Sequence, residues 1–312
     1  MNDIFSDFRN AFRYPNNGLM KLIVINVLVF LIMAFLHVVF WLAKVSGITG
    51  LIIDWVAVSP DMMKFITRPW TIITYGFVHN LQDIFHILFN MLALYFMGRL
   101  VQDFAGSRRV ISIYLLGVIV GALFFFAFHN FIPRLIEEKT LVRLVGASGG
   151  VYAIVVAAAT LAPDAIVLLF GIFPVRLKYI ALVTVFLSFL ELASPNTGGN
   201  AAHLGGALIG YLFVKQLRRG NDLGKPINKF LEWWASLFEP KPTMKGVYVK
   251  EKVSIKVSPN KAKQEKAEQS IASGAVPSQE EIDKILDKIS ENGYESLTKE
   301  EKQKLFNASR QD

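Results

Sequence analysis

The stretch Gly146-Ala147-Ser148-Gly149-Gly150-Val151-Tyr152-Ala153 opens a run with no charged residue up to Leu161. The run is apolar without alternating, so it reads as a helix rather than a half-buried strand. Its length and composition fit a membrane crossing at about 147–163. Lipid offers backbone groups no hydrogen bonds, so a crossing must be a helix or part of a closed barrel. Working outward, five similar runs occur at about 20–42, 82–101, 111–131, 177–193 and 201–217. Each is near the roughly 20 residues a bilayer core requires, the run at 147–163 and that at 177–193 being slightly short. The expectation is an all-α membrane bundle of six transmembrane helices.

Composition agrees. Of 312 residues, 53% are hydrophobic and the mean hydropathy is +0.41, too apolar for an ordinary soluble domain. With no cysteine, disulfide and thiolate chemistry are excluded. A net charge of +8 would suggest nucleic acid in a soluble protein. Here the basic residues gather at span ends and in the tail, which points to anionic lipid and to orientation. Arg9, Arg13 and Lys21 precede or open the first span. Arg99, Arg108 and Arg109 fall between the second and third, Arg176 and Lys178 between the fourth and fifth. Lys215, Arg218, Arg219, Lys225 and Lys229 follow the sixth. Six spans put all four groups on one side, read as cytoplasmic with both termini. Residues 194–200 on the other side carry no charge, whereas 132–146 is mixed. The first apolar run is long enough to span and is followed by no small-residue cleavage site, so no cleavable signal peptide is expected.

Residues 1–18 place Ile4, Phe5, Phe8 and Phe12 on one helical face, an interfacial segment ahead of the membrane domain at 19–219. The loop at about 43–81 is long and holds Trp55, Phe65 and Trp70, so it is expected to carry function. In the stretch 220–276, Ile227, Phe230, Leu231, Trp234, Leu237 and Phe238 share a stripe, as in a helix lying on a membrane, and a polar linker follows. The module at 277–312 reads as a helical hairpin. Ser278 with Glu281 and Thr298 with Glu301 fit capping boxes, and Gly293 ends the first helix.

Two residues in these spans have chemistry that lipid does not favour. Ser148 opens the fourth span, and His203 lies near the start of the sixth. An ionisable residue in a membrane costs roughly 2.5–3.5 kcal/mol for a charged form, so its presence suggests a site. Both spans start on the same side, so Ser148 and His203 share a depth. A serine and a histidine within reach are a nucleophile and a base. Gly206 and Gly210 give the sixth span a small face, and Ala153 and Ala157 give the fourth another, which allows close approach. His86 and Asn90, at i and i+4, share a face of the second span and carry hydrogen-bond donors for a developing oxyanion. Tyr152, one turn after Ser148, is placed to pack on the His203 ring. No Asp or Glu is placed to orient that ring, so a dyad is expected. Each residue alone has a plainer reading: Ser148 and the glycines as helix packing, Tyr152 and Phe89 as core, His79 as loop support. Phe89 as a gate for substrate is the alternative to core.

Taken jointly, these residues resemble the rhomboid family of intramembrane serine proteases over about 20–217. Gly146 to Gly149 is similar to its nucleophile motif, with Gly146 and Gly149 as supporting positions. His86 with Asn90 is similar to its oxyanion motif. Ala202-His203 with Gly206 and Gly210 is similar to its last-helix motif. Pro69-Trp70 through Phe77-Val78-His79 is similar to its lead-in to the second helix. An adjacent Trp-Arg pair, common in the family's first loop, is absent from this sequence. The resemblance implies a water-filled site open to the extracytoplasmic side. It also implies cleavage of single-pass membrane proteins without cofactor or metal, with the lipid bilayer and not nucleic acid as the other partner. A small C-terminal module of this kind is similar to one on some bacterial rhomboids, which implies a bacterial inner membrane. The rival reading is a non-catalytic scaffold that binds transmembrane helices. Such a scaffold would be expected to lack the Ser or the His.

Overall fold

The computed structural model describes residues 17–137, 142–169, 171–238, 279–292 and 296–308. The chain divides into two compact units, Met1–Lys241 and Pro242–Asp312. Residues 1–16 and the linker, with Ser278 and Gly293, lie outside the described residues.

In the first unit the long helices are α1 (Gly18–Leu42), α5 (Ile84–Ala105), α6 (Ser107–Phe131), α8 (Ser148–Leu161), α9 (Leu177–Leu190) and α10 (Thr197–Arg218). Short helices α2 (Ile48–Val56), α3 (Met62–Thr67) and α4 (Thr71–Thr74) fill the long first loop, α7 (Pro133–Ile136) follows α6, and α11 (Lys225–Ser236) follows α10. By length and composition α1, α5 and α6 are able to cross a membrane. The bundle is that of an integral membrane protein. Large apolar side chains stay exposed on its outside, among them Phe35 on α1 and Leu182, Phe186 and Phe189 on α9. In water that surface would aggregate; against lipid it is ordinary.

One sequence expectation is corrected. The second and third spans are not separated by a loop at 102–110. Gly106 alone joins α5 to α6, at φ +88°, a conformation that favours glycine. Arg108 and Arg109 therefore lie in the first turn of α6, where they pair with Glu232 and Asp222. Between the fourth and fifth spans the chain is not wholly helical. Strands β1 (Ile166–Leu169) and β2 (Phe173–Arg176) form an antiparallel pair, Ile166 opposite Arg176. Successive β-branched and aromatic residues there favour extended backbone.

The centre is the trio α6, α8 and α10. Its faces are made of small residues. A side chain at Gly206 of α10 would overlap the Gly149 carbonyl of α8, and one at Gly210 would overlap the Ala153 carbonyl. Gly117 of α6 faces Ala153 and Gly149, and Gly121 faces Ala202. Helices this close gain dispersion contacts that lipid tails cannot match. Buried polar groups add further ties. Asn26 of α1 donates to the Tyr114 hydroxyl (3.2 Å), and that hydroxyl donates to Gly76 O (2.6 Å).

The first loop is held by charge. The Asp54 carboxylate meets Lys64 (3.0 Å), Arg68 (2.8 Å) and Arg143 (3.1 Å). The Arg68 guanidinium also lies 4.4 Å over the Trp55 ring, which stacks on Trp70 at 5.8 Å.

In the second unit α12 (Gln279–Asn292) and α13 (Lys299–Ala308) form a hairpin. Thr298 N donates to Glu301 (2.7 Å) while Glu301 N donates to the Thr298 hydroxyl (3.3 Å), a reciprocal capping box.

Candidate active site

Ser148 is the first residue of α8 because the chain before it is pinned. Leu144 pairs with Val58 of the first loop in both directions (2.9 and 3.2 Å), and Gly146 N donates to Tyr75 O (3.0 Å). Tyr75 is fully buried and its hydroxyl donates to Val118 O (2.6 Å). Gly146 has φ +130°, a region closed to most side chains. A Cβ there would stand 3.0 Å from His86 Cε1 and 3.6 Å from Ser148 Oγ. Glycine at 146 therefore lets the His86 ring lie beside the serine. The first backbone bond into α8 runs from Val151 N to Ala147 O (3.0 Å). The amides of Ser148, Gly149 and Gly150 precede that ladder, at the positive end of the helix dipole.

His203 is on α10, and its ring lies parallel to that of Tyr152, with centroids 4.1 Å apart and planes 7° off. Its Nδ1 is 3.2 Å from the hydroxyl of Ser188 on α9, and the Ser188 hydroxyl donates to the Tyr152 hydroxyl (2.9 Å). Sequence reasoning did not name Ser188. A signal existed: Thr184 and Ser188 are the polar residues of an otherwise apolar α9 from Ile180 on, four apart and so on one face. Thr184 satisfies itself on Ile180 O, whereas Ser188 reaches two other helices.

His86 and Asn90 are on α5. Asp83 accepts from Phe85 N (3.0 Å) and His86 N (3.3 Å), which caps that helix. Asn90 donates to His86 O (2.7 Å). His79 is buried and meets the His86 ring edge-on at 5.4 Å.

These residues converge on one cavity of about 550 Å³, lined by His86, Asn90, Ser148, Tyr152 and His203, with Phe85 and Phe89 of α5 and Thr184 of α9 on its wall. Gly149 is not part of the lining; it packs against Tyr75 and Gly117. Phe89 is exposed as well as cavity-lining. Asp83 and Asn196 stand at α5 and α10 helix starts on the same wall. The Asp83 carboxylate is engaged in its cap, and among the described residues no carboxylate bonds His203. No hydrogen bond joins Ser148 to His203 among the described residues either; the cavity brings them together without closing that contact. No cluster among the described residues is suited to a metal ion. A serine, a histidine with a bonded Nδ1 and donors beside a helix start together suit acyl transfer.

A polytopic helical membrane protein with such a cavity fits the family to which its sequence matches. Residues 67–220 match the family described as "Rhomboid domain", and the chain belongs to the rhomboid family through that domain. Residues 275–311 match a separate family of unknown function. Among curated proteins the chain is 29% identical over 162 residues to "RHOMBOID-like protein 12, mitochondrial" of Arabidopsis thaliana, covering 49% of this chain and 48% of that one. It is 30% identical over 158 residues to "Rhomboid protein 1, mitochondrial" of Saccharomyces cerevisiae, covering 48% and 42%. It is 30% identical over 172 residues to "Rhomboid-like protein 16, chloroplastic" of Arabidopsis thaliana, covering 50% and 52%. The chain thus spans about half the length of the curated relatives it matches. Their names refer to mitochondria and chloroplasts, so the expectation of a bacterial type is not borne out.

Proposed function

We propose that the protein is an intramembrane serine endopeptidase acting on single-pass membrane proteins. Ser148 Oγ attacks a substrate carbonyl while His203 Nε2 takes its proton. The tetrahedral oxyanion is held by the Ser148 amide, with His86 and Asn90 supplying further donors. Collapse of the intermediate expels the amine, which receives the proton from His203, and leaves an acyl-enzyme on Ser148. Water, deprotonated by His203, then releases the acid and restores the serine. The face bearing Arg99, Arg108, Arg109, Arg176, Lys178 and Arg218 is the non-translocated side, which puts the cavity at the opposite face.

The observation that supports this reading is the shared cavity wall of Ser148, His203, His86 and Asn90. One observation favours a non-catalytic helix-binding scaffold instead: no hydrogen bond joins Ser148 to His203. Unliganded sites often hold such pairs loosely, and the bond tightens when substrate binds. The test is labelling of detergent-solubilised protein with a fluorophosphonate serine probe, followed by cleavage of a test transmembrane substrate in vesicles. Wild type is expected to label and cleave, and folded Ser148→Ala and His203→Ala to do neither. Cleavage retained in either variant would overturn the dyad. A folded wild type that neither labels nor cleaves would overturn the protease reading.

A further inference from the structure

We infer that Ser188 is a positioning residue that sets the proton on His203, an inference that rests on the dyad proposed above. A neutral imidazole carries one proton, and only Nδ1–H leaves Nε2 free to accept from Ser148. Which nitrogen holds the proton is decided by the partner at Nδ1. That partner is the Ser188 hydroxyl at 3.2 Å. A hydroxyl is both donor and acceptor, so its direction matters. The Ser188 and Tyr152 hydroxyls are 2.9 Å apart; with the Ser188 proton directed to Tyr152, Ser188 Oγ accepts from His203 Nδ1–H, and this is the direction the inference assigns.

The relay occupies two sides of the ring. Tyr152 covers its face at 4.1 Å, and Ser188 holds its edge. Ser188 is 2% exposed, so water does not replace it cheaply when it is lost. The three groups come from three helices: Tyr152 from α8, Ser188 from α9 and His203 from α10. The buried residues of α9 are Leu177, Ala181 and Ser188. Of these, Ser188 is the polar one, and it ties the helix to Tyr152 and His203. The orientation of His203 therefore depends on α9 staying docked. No carboxylate does this work among the described residues, and a neutral serine orients the ring without adding a charge to the membrane interior.

Valine and threonine have nearly the same shape, and threonine alone keeps a hydroxyl. Ser188→Thr and Ser188→Val should therefore differ if the hydroxyl matters and agree if only packing matters. In vesicles with a test transmembrane substrate, Ser188→Val is expected to lose about 10–100-fold in kcat with KM within about twofold, as when a buried partner is removed. Ser188→Thr is expected to retain most of the rate. Fluorophosphonate labelling of Ser148 should follow the same order. Equal rates for Ser188→Val and wild type would overturn the role, and so would equal losses in Ser188→Val and Ser188→Thr. A loss confined to KM would overturn it too. A wild type inert to both probe and substrate would sink the protease reading itself, which separates the two failures.

Discussion

Replacing Gly206 by alanine tests whether helix approach sets the site. Gly206 lies one turn after His203 on α10, and it faces the Gly149 carbonyl, one residue from Ser148 on α8. The added Cβ would overlap that oxygen and stand 2.9 Å from Gly149 C and 3.3 Å from Gly149 Cα. These atoms are backbone inside a helix and cannot rotate away. Relief requires α10 to withdraw from α8 by about 1.5 Å before the new Cβ reaches an ordinary contact of about 3.5–4.0 Å with that oxygen. Two terms then oppose each other in stability. Overpacking costs about 1–3 kcal/mol, and exchanging glycine for alanine in a helix returns about 1 kcal/mol. The net loss is modest, and the protein should still fold. Activity has no such offset. A misplacement of about 1 Å between reacting groups costs about 100-fold, and here the displaced pair is Ser148 and His203, the proposed nucleophile and base. The assay is the rate of fluorophosphonate labelling beside thermal unfolding in the same detergent. Leu208→Ala, at an exposed position two residues further on, is the control and should label within about twofold of wild type. A Gly206→Ala protein with wild-type labelling rate would refute the link between this contact and the site.

Asn90→Ala should lower turnover by about 100–1,000-fold without abolishing it, the usual loss of one oxyanion donor; unchanged turnover in vesicles would remove Asn90 from the oxyanion role. The Asp54 cluster predicts a pH effect outside the spans. The Arg68 guanidinium, followed by Lys64 and Arg143, holds the Asp54 carboxyl below its ordinary value of 3.8. A carboxylate with a lowered pKa in the folded state contributes stability that is complete above the ordinary value. That stability is lost as pH falls through the folded value. Limited proteolysis of the 43–81 loop should therefore rise in wild type as pH drops below about 3.8, by this linkage. In Asp54→Asn the loop should be open at pH 7 and show no such step. A variant as protected as wild type at pH 7 would show that the ion cluster does not anchor the loop.

The spans and the central contacts were legible because lipid restricts both composition and packing. Gly206 with Gly210 on one helix and Ala153 on another are small residues at helical spacing, and they meet in the fold. Ser148 and His203 could be expected at one depth by counting spans, and both line one cavity with His86 and Asn90. What the sequence did not reveal depends on backbone approach or on pairing across the chain. The single-residue link at Gly106 looked like a loop because Arg108 and Arg109 are charged, yet those charges find Glu232 and Asp222 more than a hundred residues later. The first loop looked structureless because its helices are each under ten residues, too short to show period. Asp54, which binds three cations from two distant segments, has no local signature.

Ser188 shows the same limit inside the membrane domain, with a different cause. A carboxylate is the strongest partner for an imidazole, and the sequence holds none placed to orient His203. In lipid that strength carries its own penalty, because an unpaired carboxylate left in the span would cost kcal/mol to bury. A hydroxyl escapes the penalty: it hydrogen-bonds its own helix when unused, as Thr184 does to Ile180 O. The orienting group of a membrane-embedded histidine is therefore best sought among Ser, Thr and Tyr on neighbouring helices at the same depth. By that rule Ser188 is found from the sequence once α9 is known to run beside α10. Tyr152 follows as the acceptor of its proton because it shares the face of α8 that begins with Ser148. The test by Ser188→Thr against Ser188→Val therefore bears on the rule as well as on the residue.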